Sequence, residues 1–355
     1  MSFSLKYRPL VLEDMVGQEA AVLQIKGMFA NDNVANSILI SGPTGSGKTT
    51  LARIIARMAN DLPPDATKLI DTTEMNGAEA RGIDDVRQVI KAAKFAPKNK
   101  YRIFILDEIH QWTPQAKQAF LKMLEEPPRK TLFILCTNEP EKLPDTVLGR
   151  CQQIRLSRVS LKACFKLLNT IASMEGLDLP SDVFKQIARL TKGHPRDALQ
   201  ALEAVANFVA GGGDVTDADN VVSAVEQVVQ VPPSDYLHKY LLSVYQGKYT
   251  LALRIVNVVE NADYFLSCLM DTHEQAMFSF ISPKLLTAYS ERWTSVLSEK
   301  GITKDTIAVE VMADILDEMV KSISLVKERT VEGNHVLVAM TARIVTIVKR
   351  HKPRE

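Results

Sequence analysis

Cysteine is scarce in this sequence. The 355 residues hold only Cys136, Cys151, Cys164 and Cys268. None forms a C-x-x-C pair and no histidine lies in a close cluster with them, so the pattern speaks against structural zinc and for reduced thiols in a reducing compartment. Long apolar runs are missing as well. No stretch approaches the roughly 20 residues of a membrane span, and Met1 to Pro9 carries nothing like a secretory signal. The expectation is an intracellular, soluble protein with no membrane partner. An excess of charge of one sign is also absent. The formal net charge is +1, so any nucleic-acid partner must be met by a local basic surface. No interleaving of aromatic with basic residues points to base stacking.

What is present suits ordinary globular domains. Hydrophobic residues make up 46% and charged residues 24% of the chain, and the length allows two or three domains. Up to about Ser157, short apolar runs alternate with amphipathic helices. Ile38-Leu39-Ile40, Ile103-Phe104-Ile105-Leu106 and Leu132-Phe133-Ile134-Leu135 read as strands buried on both faces, which suits a parallel sheet. Leu51, Ile54, Ile55 and Met58 recur at helical spacing, as do Ala116, Ala119, Phe120, Met123 and Leu124, with Pro127-Pro128 stopping the second helix. Strands alternating with helices predict a three-layer α/β domain over residues 1–160.

From about Leu161 the strand signal fades. Phe184, Ile187, Ala188 and Leu190 mark a helix capped by Ser181, and Ala198, Leu199, Leu202, Val205 and Ala206 mark another that ends at Gly211-Gly212-Gly213. A third is expected after Thr216. This gives a small helical domain over 161–229. Val231-Pro232-Pro233 reads as a linker, and residues 230–355 read as helix throughout.

The sharpest signal is Gly42-Pro43-Thr44-Gly45-Ser46-Gly47-Lys48-Thr49, with Thr50 beginning the helix that follows. It matches G-x-x-x-x-G-K-[ST] between a strand and a helix, where backbone N–H groups can turn inward around a phosphate. The helix adds about half a positive charge at its N-terminus. ATP with Mg²⁺ is the expected ligand, Lys48 reaching the β- and γ-phosphates and Thr49 a metal ligand. Ile103-Phe104-Ile105-Leu106-Asp107-Glu108 then places two carboxylates at the sheet's C-terminal edge. Asp107 is expected to hold Mg²⁺ through water and Glu108 to polarise the attacking water. A binding-only site needs the first acid but not the second, so the pair favours hydrolysis.

Asn138 follows the third strand. Its amide could align the water against the γ-phosphate, or could simply start a turn before Pro140. Arg150, in Leu148-Gly149-Arg150-Cys151, and Arg196, after Pro195, could each neutralise γ-phosphate charge. On the residues alone, a surface arginine, or an ion pair such as one with Asp197, is the simpler explanation of each.

These pieces stand in the order of the AAA+ ATPases, and more narrowly of clamp-loader subunits. Leu5-Lys6-Tyr7-Arg8-Pro9 and Val16-Gly17-Gln18-Glu19 resemble two N-terminal signatures that pack around adenine and ribose. Arg81-Gly82-Ile83-Asp84-Asp85-Val86-Arg87 and Leu121 to Pro128 resemble bacterial polymerase III tau/gamma and replication factor C small subunits. Glu141 to Cys151 resembles the arginine-finger segment, and Gly193-His194-Pro195-Arg196-Asp197 the second sensor. The resemblance covers about residues 4 to 225 and, more loosely, the rest.

That resemblance implies subunits in an open, pentameric ring of homo- and hetero-oligomeric make-up, with ATP between neighbours. Arg150 would act in trans, Arg196 in cis, and Asn138 as the first sensor. ATP binding would let the ring grip a sliding clamp and primer–template DNA, and hydrolysis would release both. The fold implied is a AAA+ P-loop domain, a helical lid and an all-helical collar. The partners implied are other loader subunits, the clamp, primed DNA and a DNA polymerase, at replication forks in a bacterial or virus-infected cell. DNA contacts would fall on Arg81, with Lys117 and Lys122 as candidates that solvated helix charge explains equally well.

The sequence departs from the tau/gamma pattern in three ways. The segment Asn60 to Leu69 contains no cysteine where a zinc module is usual. A tau-type extension is not seen. Gly149 stands where serine commonly precedes the finger arginine. The first two imply a compact viral, archaeal-like or divergent loader subunit. Two other readings compete: a branch-migration or fork-remodelling motor, which the Arg81 and Arg150 segments disfavour, and a nucleotide-binding scaffold subunit, which the presence of Lys48, Glu108 and Arg150 disfavours.

Overall fold

A computed structural model describes residues 2–31, 34–66, 68–213, 215, 234–259, 262–281, 307–327 and 332–351. It divides into two compact units, Met1–Val225 and Glu226–Glu355.

In the first unit, helices α1 (Phe3–Lys6) and α2 (Glu19–Ala30) precede strand β1 (Ser37–Ser41). They are followed by α3 (Lys48–Ala59), β2 (Thr72–Asn76), α4 (Ile83–Ala93), β3 (Arg102–Asp107), α5 (Pro114–Glu125), β4 (Thr131–Thr137), α6 (Asp145–Leu148) and β5 (Gln152–Arg155). The five strands form a parallel sheet in the order β2-β3-β4-β1-β5. The three apolar runs are its inner strands, and the polar Thr72–Asn76 and Gln152–Arg155 are its edges.

The period of two sorts side chains into layers. Ile38, Ile40, Ile103, Ile105, Leu132 and Ile134 pack on one face with Ile25 of α2 and Leu51, Ile54 and Ile55 of α3. Leu39, Phe104, Leu106, Phe133 and Leu135 face the other way, against Val86 and Val89 of α4 and Phe120 and Leu124 of α5. Phe133 is fully buried, with ring centroids 5.6 Å from Phe104 and 5.1 Å from Phe120. Phe133→Ala is therefore expected to destabilise this unit by about 3–5 kcal/mol, read from the denaturant midpoint.

Local chemistry sets the ends of these elements. Thr113 caps α5, its hydroxyl accepting from the Ala116 N–H at 3.3 Å, with Pro114 in the first turn. Asn60, at the end of α3, pairs with both backbone groups of Tyr101 (3.0 and 2.8 Å) and so fixes the start of β3. A basic run from Lys91 to Arg102 begins on α4 and ends on β3. Within it Lys100 pairs with Asp61, and Arg102 lies 3.7 Å from Asp71.

Helices α7 (Leu161–Met174), α8 (Ser181–Leu190) and α9 (Pro195–Ala210) complete the unit. Ser160 caps α7 through the Ala163 N–H at 3.2 Å. Ser181 does not cap α8. It is the first helical residue, and Pro180 takes the cap position with no side-chain bond. Gly193, before α9, has φ +72°, and a Cβ there would stand 2.3 Å from the Val159 carbonyl oxygen, so only glycine fits the approach. The helix expected after Thr216, the linker at Val231-Pro232-Pro233 and the 229/230 boundary lie outside the described residues.

The second unit is helical over its described residues: α10 (Ser234–Gln246), α11 (Tyr249–Val256), α12 (Ala262–Ile281), α13 (Val309–Lys327) and α14 (Gly333–His351). Tyr240, Leu241, Phe265, Leu269, Met312, Ile315, Leu337 and Ile344 are among its core residues. His273, buried in that core, donates from Nε2 to the Met312 carbonyl at 2.7 Å and accepts at Nδ1 from the Tyr245 hydroxyl at 2.5 Å. Burial lowers its pKa to about 4, so the imidazole stays neutral.

Candidate functional site

Because the strands are parallel, the carboxyl ends of β1, β4 and β3 meet on one edge of the sheet, where open α/β sheets hold ligands. The glycine-rich loop leaves β1, Asn138 follows β4, and β3 ends in Asp107 with Glu108 next. The first unit encloses a cavity of about 790 Å³ there. It is lined by Tyr7, Arg8, Pro9, Val16, Thr44, Gly45, Ser46, Gly47, Lys48, Thr49, Thr50, Asp107, Glu108 and Arg196, among others. Gly42, Pro43, Gly17, Gln18, Asn138 and Arg150 do not line it.

The loop turns through Gly45 (φ +74°) and Gly47 (φ +96°), and Gly47 leads straight into α3. Lys48 is only 6% exposed, and its ammonium donates to the carbonyls of Gly42 and Pro43 at 3.0 and 3.1 Å. The Thr49 hydroxyl donates to Asp107 Oδ2 at 2.5 Å, while Asp107 Oδ1 accepts the Glu108 N–H at 2.9 Å. The two expected metal ligands thus stand side by side. Among the described residues no group of three or more His, Cys, Asp or Glu gathers to hold a metal unaided. A hard cation held by one hydroxyl and one carboxylate must take its other oxygens from phosphate and water, as Mg²⁺ does.

Cations crowd the cavity. Arg8, Lys48, Arg53 and Arg196 all line it. Burial, with Arg53 and Arg196 nearby, draws the Arg8 pKa below its ordinary value. Arg53 makes a paired bond to Glu74 (Nε–Oε1 2.8 Å, Nη2–Oε2 2.6 Å), which raises its own pKa. Such crowding disfavours cations unless a polyanion enters. The Ser46 hydroxyl and the Asn138 Oδ1 atom are buried and lack a hydrogen-bond partner among the described residues, as groups waiting for a ligand would be. Asn138 Nδ2 lies 3.5 Å from Thr44 Oγ1, so the amide sits against the loop.

The N-terminal segment reaches from the cavity to helices α7 and α9. Lys6 and the Tyr7 hydroxyl both donate to Glu175 Oε1 at 2.6 Å, and the Phe3 N–H donates to Glu203 at 3.0 Å. Gln18 is buried and pairs with both backbone groups of Ser157 (2.9 and 3.0 Å). Its side chain is spent on holding the chain between β5 and α7. Arg150 is exposed and donates to the Thr146 carbonyl and to Glu125 Oε1, each at 2.7 Å. Arg81 is exposed and donates from Nε to the Ala78 carbonyl at 2.7 Å. Lys117 is half-buried, donating to the carbonyls of His110 and Lys142 at 3.0 and 3.2 Å. Lys122 is exposed. Burial raises the thiol pKa values of Cys151 and Cys164 to about 12 and about 11, and also pushes up that of Cys136, so all three stay protonated.

Known proteins fit this geometry. Residues 17–160 match the family model for the DNA polymerase III delta subunit. The chain is 32% identical over 267 residues to DNA polymerase III subunit tau of Bacillus subtilis, spanning 71% of this chain and 46% of that protein. Over most of its length the chain is similar to these DNA polymerase III subunits. It is also 30% identical to the gamma/tau subunit of Mycoplasma genitalium, over 74% of this chain and 47% of that protein, so it spans about half the length of these relatives. The RuvB Holliday junction branch migration motor of Thermotoga maritima shares the AAA+ fold, with a TM-score of 0.51 at 20% identity over 62% of this chain and 72% of that one.

Sequence reasoning missed Arg53, Glu74 and Glu175. Arg53 lies four residues after Thr49, one helical turn on, and its spacing could have shown it. Glu74 lies on an edge strand that the apolar pattern did not reveal.

Proposed function

We propose that this chain is the Mg²⁺-dependent ATPase subunit of a sliding-clamp loader, acting in the cytoplasm to open a clamp and place it on primer–template DNA. The observation that carries the ATPase part is the convergence in one cationic cavity of buried Lys48, the Thr49–Asp107 pair at 2.5 Å, and Glu108. The relatives' names support the setting in DNA replication.

In this reading Lys48 turns from the two carbonyls onto the β- and γ-phosphates. Thr49 and Asp107 hold Mg²⁺, which when bound supplies charge neutralisation across the phosphates. Glu108 takes the proton of the attacking water, Asn138 Oδ1 accepts from that water, and Arg196 brings the lid's charge to the γ-phosphate. Tyr7, Arg8, Pro9 and Val16 surround the nucleoside. Arg150 serves the site of a neighbouring subunit in a pentameric ring, and the helical second unit is the collar of that ring. Arg81, Lys117 and Lys122 face the DNA backbone. Residues 1–160, 161–229 and 230–355 serve as motor, lid and collar.

The test is steady-state ATP hydrolysis with and without a clamp and primed DNA. Turnover is expected to be slow alone and to rise at least about tenfold when both are present, since loader turnover waits on a conformational step. Turnover indifferent to both, or coupled instead to strand separation, would overturn the clamp-loader reading.

A further inference from the structure

Arg53 and Glu74 line the cavity but have no part in the roles above. Arg53 follows Thr49 by one turn of α3, so its side chain leaves the helix on the face that carries the Thr49 hydroxyl. Glu74 sits on edge strand β2, opposite Ile105 of β3, and Ile105 packs in the layer that α3 covers. The register therefore brings a carboxylate of the outermost strand up to α3. The two side chains meet as a fork, Nε to Oε1 at 2.8 Å and Nη2 to Oε2 at 2.6 Å. They are 30% and 36% exposed, so the pair stays open to a ligand.

Two observations set this pair apart from an ordinary surface salt bridge. Its arginine belongs to a group of three. Arg8, on the N-terminal segment, lies near Arg53 and Arg196, and Glu74 is the carboxylate that opposes their effect on it. One acid thus offsets charge gathered from α3, the N-terminal segment and α9. The fork, moreover, uses only Nε and Nη2. No hydrogen bond to Nη1 is seen among the described residues, so the guanidinium keeps donors for a second oxygen ligand. A guanidinium grips phosphate with the same two-donor edge that it offers a carboxylate. Phosphate and Glu74 are therefore alternatives for one edge of Arg53.

We propose that Arg53 is a ligand of the nucleotide's phosphate chain and that Glu74 competes for it. Glu74 is a stand-in anion. It holds the guanidinium at the cavity wall, a place from which Arg8 and Arg196 would otherwise repel it, and yields that edge to phosphate. The inference rests on nucleotide occupying this cavity, as proposed above.

The test measures the Kd of a fluorescent, non-hydrolysable ATP analogue for the full chain, by anisotropy with Mg²⁺ present. Wild type is compared with Arg53→Gln, Glu74→Gln and the double variant, and the Tm of each is recorded. Both side chains are partly exposed, so neither change should unfold the chain. A pair that only braces β2 against α3 would act with one sign: each single variant would lose Tm, and binding would weaken with it. Competition gives opposite signs. Arg53→Gln is expected to raise Kd about tenfold or more, as the loss of a charge-assisted contact does. Glu74→Gln is expected to lower Kd about threefold or more, and to add little in the Arg53→Gln background, because its effect passes through that guanidinium. A general gain of positive charge would persist there, so equal tightening in both backgrounds would overturn the proposal. So would weaker binding in Glu74→Gln, or an unchanged Kd in Arg53→Gln. Wild-type protein that binds no analogue would instead sink the reading of the cavity, and this inference with it.

Discussion

Lys48→Ala is expected to abolish ATP-dependent function while leaving the fold intact. The ammonium is almost wholly buried, and among the described residues its partners are two carbonyl oxygens, with no carboxylate. A buried cation without a counter-ion costs stability, so its removal should leave the Tm of the nucleotide-free protein unchanged or slightly higher. The loss appears with nucleotide. A charge-assisted hydrogen bond contributes about 1.5–3 kcal/mol. Contacts to both the β- and γ-phosphates therefore amount to roughly 3–6 kcal/mol, or about 10²- to 10⁴-fold in affinity.

Thermal shift separates the two effects. Wild-type protein at 100 times the Kd of ATP should gain about 2.7 kcal/mol of stability, and the variant at the same ATP concentration should gain almost none. Unchanged turnover in Lys48→Ala would refute the placement of phosphate in this loop. The same titration without Mg²⁺ reads the Thr49–Asp107 pair, since only cation-dependent binding needs the two oxygens apart.

Most of this site was legible in the sequence because phosphate chemistry demands particular residues at fixed spacing. A loop that presents backbone N–H groups needs glycine at Gly45 and Gly47, and both have positive φ. Strands β1, β3 and β4 were legible for a different reason: covered on both faces, they read as unbroken apolar runs. The edge strands escaped because Thr72–Asn76 and Gln152–Arg155 need cover on fewer sides and so carry polar residues. Glu74 was lost with β2, and the Arg53–Glu74 pair with it. Gln18 shows what spacing could not weigh. Its place beside a nucleotide-pocket signature suggested ligand contact, but a buried amide can satisfy itself on a peptide group, and Ser157 supplies one. Nor could spacing reveal that His110 lies between Glu108 and Glu139. That meeting depends on β4 pairing beside β3, which brings Thr137 and Glu139 next to the turn after Asp107.

Arg150→Ala is expected to leave ATP binding intact and collapse hydrolysis. Among the described residues the guanidinium holds the Thr146 carbonyl and Glu125, at the surface and away from the lining of the cavity. An exposed pair of this kind contributes at most about 1 kcal/mol, so neither the fold nor the Kd for ATP should change measurably. A guanidinium that meets γ-phosphate charge in the transition state is worth on the order of 10³-fold or more in rate. Large loss of turnover beside unchanged binding and unchanged Tm is therefore the signature of an arginine that serves another subunit's nucleotide. Mixing separates this from a long-range effect within one chain. A subunit with intact Arg150 but without Lys48 cannot hydrolyse ATP itself, yet it can present its arginine to the intact cavity of an Arg150→Ala neighbour. Mixtures of the two inactive variants should recover a fraction of wild-type turnover that peaks near equal proportions. Turnover absent at every ratio, in mixtures shown to co-assemble, would remove Arg150 from the neighbouring site. Full activity in Arg150→Ala alone would show that the γ-phosphate charge is met without it.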